Sequence, residues 1–210
     1  MTEGRGGVWS YTTGVLEPEL YLYNFYVDEM RYLDPANSYI CRDIATWTNY
    51  FIISKEPGDK GSLYLASEVP HGTVTRVWYD SPTLKMNRRM TVYTPAGYED
   101  SKEKYPVLYL CHGAGGDEEA WVTLGRTAQI MDNLIAAGLA KKMIVVMPNG
   151  NTHCEAAPGE WGAGLYRPSG SGANPMIAKG EASMDESFPD IVNYIENHYR
   201  VLKGKDNRAM

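Results

Sequence analysis

The stretch Leu108-Tyr-Leu-Cys-His-Gly-Ala-Gly-Gly116 decides the fold class of this 210-residue chain. An apolar run, Val107–Cys111, leads into a histidine, and glycine fills three of the four positions that follow. A continuous apolar run of this length is typical of a strand that is covered on both faces. Glycine lets the backbone turn tightly and approach a ligand closely. The stretch therefore predicts a buried strand that runs into a glycine-rich turn.

Downstream of this stretch the pattern alternates between helix and strand. A second apolar run spans Met143–Met147, and Glu118–Ala137, between the two runs, has apolar residues at helical spacing. The helical pattern stops at Gly138, a common helix terminator. Ser183–Tyr199 repeats the helical spacing. This order predicts βαβ units in a mostly parallel sheet.

Upstream, two stretches alternate in the way that paired antiparallel strands do. They are Val74–Tyr79 and Arg89–Tyr93, with a turn at Ser81-Pro82 between them. These strands extend the predicted sheet at its N-terminal side.

Residues 8–66 differ in composition from the rest of the chain, because they are rich in Tyr, Trp and β-branched residues. They show no helical periodicity. Leu20–Val27 and Met30–Leu33 predict a hairpin around Asp28-Glu29, and Trp47–Ser54 predicts another strand. This part of the chain is predicted to be all-β.

Composition excludes several classes of partner. The net charge is −6 and no Lys/Arg block occurs, which argues against nucleic acid and against an anionic membrane surface. No apolar run approaches the roughly 18 residues that span a bilayer, and the N-terminus lacks the apolar core of a secretory signal.

Cysteines occur at 41, 111 and 154, an odd number without metal-type spacing, and Cys111 is expected to be buried in its apolar run.

The glycine turn has more than one chemical interpretation. After a central strand, such a turn can aim backbone N–H groups at a developing negative charge, as in an oxyanion hole of the HGGG type. It can also be a purely structural strand-to-helix turn, or a phosphate-binding turn, although G-x-G-x-x-G and a Walker lysine are both absent.

A G-x-S-x-G nucleophile elbow occurs nowhere in the sequence, and its nearest approximation is Ser169-Gly-Ser-Gly172. A thiol nucleophile could be built from Cys154 beside His153, but adjacent residues rarely face each other correctly.

Residues 71–210 resemble the N-terminal half of the esterase D-like branch of the α/β hydrolases. That branch includes the feruloyl and acetylxylan esterases of carbohydrate esterase family 1. The matching stretches follow one another in the family's order, and they are Thr73–Tyr79, Arg89–Pro95, Tyr93–Tyr98, Tyr105–Gly116 with Trp121, Ile144–Gly150 and Phe188–Arg200.

The resemblance implies a serine ester hydrolase that uses no metal and no organic cofactor. The amide of Ala114 would be one oxyanion donor, Gly113 and Gly115 would shape the turn, and His112 would be structural. Further residues would line the acyl and sugar pocket: Asp117, Trp121, Asn149, Asn151 and Trp161.

In the family, the nucleophile elbow follows a strand that here would begin at Asn207–Met210. We therefore expect the nucleophile, acid and histidine beyond Met210, this chain to be inactive alone, and an uncovered sheet edge to favour self-association. The resemblance implies a parent protein, secreted or periplasmic, that hydrolyses feruloyl or acetyl esters of plant-wall xylan. Its partner would be the polysaccharide or a feruloylated oligosaccharide.

The N-terminal part resembles the closing strands of an early-set, immunoglobulin-like domain related to glycogen-binding modules, through Tyr23–Asp28 and Leu33-Asp-Pro-Ala-Asn37. We thus predict two domains, a partial immunoglobulin-like β-sandwich over residues 1–68 and the N-terminal half of an α/β-hydrolase sheet over residues 69–210. The first would pack against the second as a spacer or stack on polysaccharide. Two other functions remain open: a non-catalytic carbohydrate-binding or scaffold piece, and an esterase for another small ester or thioester.

Overall fold

The computed structural model describes residues 1–43, 46–157 and 183–210. Within these ranges the strands are β1 (Thr2–Glu3), β2 (Trp9–Ser10), β3 (Glu19–Tyr23), β4 (Phe25–Val27), β5 (Met30–Tyr32), β6 (Ile40–Asp43), β7 (Thr46–Ile53), β8 (Thr73–Ser81), β9 (Met86–Thr94), β10 (Val107–Tyr109), β11 (Ile144–Pro148) and β12 (Arg208–Ala209). The α-helices are α1 (Ala120–Thr123), α2 (Thr127–Ala136) and α3 (Met184–His198). Short 3-10 helices lie at Arg5–Gly7, Gly61–Tyr64 and Lys205–Asn207.

The centre of the molecule is a five-stranded mixed sheet with the strand order β12-β10-β11-β9-β8. β8 and β9 form the predicted antiparallel pair, with a register that runs from Thr73↔Thr94 to Ser81↔Met86. β9 pairs antiparallel with β11, whereas β11, β10 and β12 are parallel to one another. The predicted α/β class and the predicted strand at the C-terminal residues are confirmed.

The helices cover both faces of this sheet. Ile144 and Val146 of β11 point to the face on which α3 packs through Ile191 and Ile195. Val145 and Met147 point to the opposite face, against Met131 of α2. Because both faces are buried, every side chain of β11 lies in the interior, which explains its continuous apolar run.

The single helix predicted over Glu118–Ala137 is wrong, because the chain there is divided into α1 and α2. The break lies at Arg126, whose φ of 51° is left-handed and cannot continue a helix. Gly125 precedes it, and a Cβ at that position would come within 2.6 Å of the Trp121 ring. Val122 of α1 and Ile135 of α2 pack partly buried against the core, whereas Trp121 of α1 is exposed at the cleft. The apolar residues are thus at helical spacing on both sides of the break, although the helix is not continuous.

The helix predicted over Ser183–Tyr199 is confirmed as α3. Ser183 caps it, since its hydroxyl accepts a hydrogen bond from the Glu186 N–H at 3.2 Å. The Glu186 carboxylate in turn accepts from the Ser183 N–H at 2.6 Å. This reciprocal capping box satisfies two amides that the first turn of the helix leaves unpaired.

The described residues up to 68 contain strands and 3-10 turns but no α-helix, as predicted. The hairpin around Asp28 and Glu29 is confirmed, with both residues in the left-handed region at φ of 48° and 66°. The strand predicted over Leu20–Val27 is interrupted at Asn24, because β3 pairs with β7 whereas β4 pairs with β5. The immunoglobulin-like arrangement and the boundary near residue 68 stay predictions.

This N-terminal β region is attached to the first helices of the α/β part through polar contacts. The Asn133 amide of α2 donates to the carbonyls of Ser62, Leu63 and Leu65 at 3.3, 3.0 and 2.9 Å. The Arg126 guanidinium donates to the hydroxyl of Tyr50 at 3.1 Å. The attachment places the β region beside the glycine turn.

β12 lies at one edge of the central sheet, next to β10. Self-association through this edge stays a prediction. No helix in the described ranges has both the length and the apolar character needed to cross a bilayer.

Candidate active site

The predicted glycine turn lies directly after β10. The Leu110 N–H donates to the Val146 carbonyl at 2.8 Å, which holds the chain to the sheet for one more residue. The turn Gly113–Gly116 is then closed by the Gly116 N–H, which donates to the Gly113 carbonyl at 3.1 Å. Gly115, the third residue of the turn, has a φ of 80°, as type II turns require at that position.

Ala114, the second residue of the turn, is exposed and lines a cleft. In the described part of the chain its N–H donates to no protein acceptor. An oxyanion donor needs this condition, since an amide bound within a helix or sheet has no hydrogen to give to a ligand.

His112 supports the glycine turn through both nitrogens of its ring. Its Nδ1 lies 2.7 Å from the Gly113 carbonyl oxygen, and its Nε2 accepts from the Gly150 N–H at 2.8 Å. The backbone N–H of Gly150 can only donate, so Nε2 is the acceptor. Nδ1 then carries the ring hydrogen and donates it to the Gly113 carbonyl. A Cβ on Gly116 or on Gly150 would lie 3.1 Å from the imidazole ring. His112 therefore has the structural place that the family resemblance implies.

Two predicted pocket residues, Asn149 and Asn151, are fully buried beneath the turn. The Asn151 side-chain amide donates to the Gly116 carbonyl at 2.8 Å, and the Asn149 amide donates to the Glu118 carboxylate at 2.8 Å. The Asn149 side-chain oxygen also accepts from the Asn151 N–H at 2.8 Å. These side chains support the turn, and their predicted contact with a substrate would require that these bonds open.

The other predicted pocket residues have different surroundings. Asp117 is buried and accepts two hydrogen bonds from the Arg42 guanidinium at 2.7 and 2.6 Å, so it too supports the turn. Trp121 is 36% exposed and lines the cleft, while its indole N–H donates to the Cys111 carbonyl at 2.9 Å. Trp161 lies outside the described residues.

Sequence reasoning missed a buried charge network behind the turn. Arg89 donates to Glu118 at 2.8 Å and to Glu119 at 2.9 Å, and Arg76 donates to Glu119 at 2.6 Å. Burial raises the pKa of Glu118, and this effect is opposed by hydrogen bonds from Ala157 N–H and Arg89. Removing one member of a buried pair costs about 3–5 kcal/mol, because the partner charge is left uncompensated. The signal was the acidic run that follows the glycines, together with arginines on β8 and β9.

Arg88 holds the loop that follows β11. It is fully buried and donates to the carbonyls of Asn149 and Asn151 at 2.6 and 3.0 Å. Burial lowers the pKa of its guanidinium. Arg88, on strand β9, therefore fixes the loop whose Asn151 supports the glycine turn.

The cleft has a volume of about 250 Å³ and three walls of different origin. The turn supplies backbone amides, the α1 region supplies an apolar surface, and β6 supplies two charged residues. The lining residues are His112, Gly113, Ala114 and Gly116 from the turn, Ala120, Trp121, Leu124 and Gly125 from the α1 region, and Arg42 and Asp43 from β6.

The cysteines differ from the expectation in one respect. Cys111 is exposed rather than buried, because β10 ends at Tyr109 and the chain leaves the interior there. Cys154 is fully buried beside His153, which keeps its thiol away from a substrate.

Ser169–Gly172, the nearest approximation to a nucleophile elbow, lies outside the described residues. Among the residues that the structure describes, no His, Cys, Asp and Glu side chains form a cluster suited to a metal ion.

Comparison with known proteins places the chain among esterases. A family model described as "Putative esterase" matches residues 81–202. An endo-1,4-beta-xylanase/feruloyl esterase of Xylanibacter ruminicola is 34% identical over 161 residues, which cover 73% of this chain and 21% of that protein. An esterase of Mycobacterium tuberculosis is 29% identical over 141 residues, 64% of this chain and 26% of that protein.

Among solved structures, a CE1 ferulic acid esterase from Anaeromyces mucronatus in complex with ferulic acid is similar at 30% identity and a TM-score of 0.53. The match covers 84% of this chain and 55% of that chain. The chain therefore spans about a quarter of the two curated relatives and about half of this solved structure.

Proposed function

This chain belongs to the esterase family whose model it matches, and from that premise we propose that it supplies the oxyanion turn of a carboxylic ester hydrolase. The observation that carries the proposal is the Ala114 N–H. It is unpaired within the described part of the chain and lies on the wall of a cleft beside Trp121.

The chemistry follows from the charge that develops during ester cleavage. When a nucleophile adds to the ester carbonyl, the carbonyl oxygen becomes negative, and a preorganised N–H stabilises it without reorganisation. The turn is preorganised because the side chains of His112 and Asn151 bond to its carbonyl groups, and because Asp117, which follows it, is bound to Arg42. The acyl group would then lie along Trp121.

These residues supply one oxyanion donor but no nucleophile elbow, since G-x-S-x-G is absent from the 210 residues. The second donor in this fold is the N–H that follows the nucleophile. We therefore propose that the serine, its acid and its histidine come from polypeptide outside these 210 residues, and that this chain by itself is inactive.

For the substrate we propose feruloyl or acetyl esters of plant-wall xylan, free or as feruloylated oligosaccharides. The relative from Xylanibacter ruminicola, a xylanase/feruloyl esterase, supports this choice. The exposed face of Trp121 also supports it, because aromatic rings stack on phenolic acids and on sugars.

The test uses a hybrid in which residues 1–210 are followed by the region that comes after the aligned segment of the Xylanibacter ruminicola relative. We expect the hybrid to hydrolyse methyl ferulate and to be labelled on one serine by a fluorophosphonate probe, and the 210-residue chain to show neither property. Stoichiometric labelling of a serine in the chain alone would contradict the missing nucleophile. A folded hybrid without activity would contradict the proposed function.

The same hybrid tests the amide. Proline is favoured at the second position of a type II turn, so Ala114→Pro removes the N–H and preserves the turn. We expect kcat to fall roughly 10²–10³-fold, the range for losing one oxyanion donor. Ala114→Gly keeps the N–H and is the matched control, and its kcat is expected to stay close to that of the parent. Equal kcat values for the two variants would remove Ala114 from the mechanism.

A further inference from the structure

The N-terminal β region contributes directly to the cleft through strand β6. Arg42 and Asp43, the last two residues of this strand, line the cleft together with the glycine turn. β6 is held by antiparallel pairing to β7, with Arg42 opposite Trp47 and Asp43 opposite Thr46. The cleft is therefore shared between two parts of the chain that are far apart in sequence.

Arg42 fixes β6 relative to the glycine turn. Its Nη2 lies 2.7 and 2.6 Å from the two carboxylate oxygens of Asp117, the residue that follows Gly116. Asp117 is 1% exposed, and it also accepts from the Glu119 N–H at 3.0 Å. A charged pair of this kind, with one partner fully buried, sets a definite distance between strand and turn. The backbone of Asp43, the next residue of β6, is therefore held at a fixed distance from the glycine turn.

Asp43 is partly buried as a residue, and within the described ranges its carboxylate has neither a hydrogen bond nor an ion pair. Burial, and after it the charge of Asp43, raises the pKa of the Cys41 thiol on the same strand. The backbone carbonyl of Asp43 accepts from the Thr46 hydroxyl at 3.2 Å. An ionised carboxylate can only accept hydrogen bonds, so what it needs is a donor. The neighbouring cation, Arg42, is directed at Asp117.

The opposite wall of the cleft is apolar. Trp121 presents part of its ring there, with Ala120 and Leu124 beside it. Gly125 lies against the Trp121 ring, where a Cβ would come within 2.6 Å, so the ring is held in place. A ligand that spans this cleft would need an apolar body, a polar group at the Ala114 amide and a hydrogen-bond donor toward β6.

We infer that Asp43 is a specificity-determining residue that accepts a hydrogen bond from a hydroxyl group of the ester substrate. The inference rests on the proposed function and adds a role for the N-terminal β region as a wall of the substrate cleft. The hydroxyl can belong to a phenolic acyl group or to the sugar that carries the ester. Both sources share one chemistry, a neutral O–H donor on an otherwise weakly polar ligand.

The test measures binding to the 210-residue chain, which requires no nucleophile. The ligands are methyl ferulate, methyl 3,4-dimethoxycinnamate, in which the phenolic hydroxyl is methylated, and feruloyl arabinose, which adds sugar hydroxyls. We expect Asp43→Ala to weaken binding of the hydroxyl-bearing ligand about 10–100-fold, the range for a hydrogen bond to a charged group. Asp43→Asn keeps the size and one acceptor, and we expect a smaller loss with an unchanged melting temperature.

The pattern of losses identifies the hydroxyl. A loss for methyl ferulate, with none for the dimethoxy ester, assigns the phenolic hydroxyl. A loss confined to feruloyl arabinose assigns a sugar hydroxyl. Glu68→Gln, which changes an acid of the same β region outside the cleft, is the control and should bind like the parent chain.

Two results would overturn the inference, and they differ from each other. If the parent chain binds these ligands and both Asp43 variants bind them equally well, the role of Asp43 fails while the proposed function stands. If the parent chain binds none of the three ligands, the inference fails, and the activity of the hybrid on methyl ferulate decides the proposed function separately.

Discussion

Gly115 is the residue of the glycine turn at which a side chain would strain the backbone. Its φ is 80°, and an L-residue in this left-handed region costs about 1–2 kcal/mol. Gly113 differs, since a Cβ there would meet no heavy atom within 4 Å. We expect Gly115→Ala to lower the free energy of unfolding by about 1–2 kcal/mol and Gly113→Ala to change it by less than about 0.5 kcal/mol. Urea unfolding followed by tryptophan fluorescence measures both.

The comparison of these two glycines also tests how the turn is held. If both alanine variants were equally stable, Gly115 would not need the left-handed conformation, and the turn would not keep its present shape in solution.

The contact between β3 and the 3-10 helix Gly61–Tyr64 is predicted to depend on pH. The hydroxyl of Tyr64, the N–H of Leu20 and the ammonium of Lys60 together lower the pKa of Glu19 to about 2. The same contact raises the pKa of Tyr64 to about 12, so the tyrosine remains a donor across the physiological range.

The sign follows from the direction of the Glu19 shift. A carboxyl whose pKa is lowered by folding stabilises the folded chain above its unfolded pKa, about 4.3, and this contribution is lost as the pH falls toward 2. We expect the parent chain to lose more unfolding free energy between about pH 6 and about pH 3 than Glu19→Gln does, since glutamine does not titrate.

A neighbouring glutamate provides the control for this pH dependence. Glu17 pairs with Lys55 at 3.2 Å, but its side chain is 83% exposed, where ion pairs contribute little. Glu17→Gln should therefore follow the parent chain at both pH values. If Glu19→Gln also followed it, the Tyr64 contact would not stabilise the β region. Chemical denaturation at the two pH values provides the measurement.

At the scale of the whole molecule, Asn133 joins α2 to the N-terminal β region. Its side-chain amide donates to three carbonyls, of Ser62, Leu63 and Leu65. Asn133→Ala leaves these acceptors without that donor, and we expect a loss of about 1 kcal/mol in unfolding free energy. We also expect faster amide hydrogen exchange around residues 61–65, because the attachment loosens locally before the whole chain unfolds.

Gln129 is the matched control for this variant. It lies on the same helix, and its side chain makes no hydrogen bond within the described part of the chain. Gln129→Ala should leave exchange in residues 61–65 unchanged. Equal protection of these residues in the two variants would mean that other contacts hold the β region to α2.

The sequence by itself determined the α/β class, the buried strands and the glycine turn. These features depend on local patterns, since a strand covered on both faces must be apolar along its whole length, as β11 is. The same logic located α3, whose capping box is written in four consecutive residues from Ser183 to Glu186. Local spacing could not show the break at Arg126, because apolar residues at helical spacing occur on both sides of it.

Only the tertiary structure decided which polar residues face the cleft and which support it. The family resemblance implies that Asp117, Asn149 and Asn151 line a pocket, whereas in the structure their side chains bond to the protein. β6, with Arg42 and Asp43, lies at the cleft, and Arg42 pairs there with Asp117, 75 residues further along the chain. The physical reason is that a local pattern fixes the period of a strand or helix, while contacts between distant segments are set by how those elements pack.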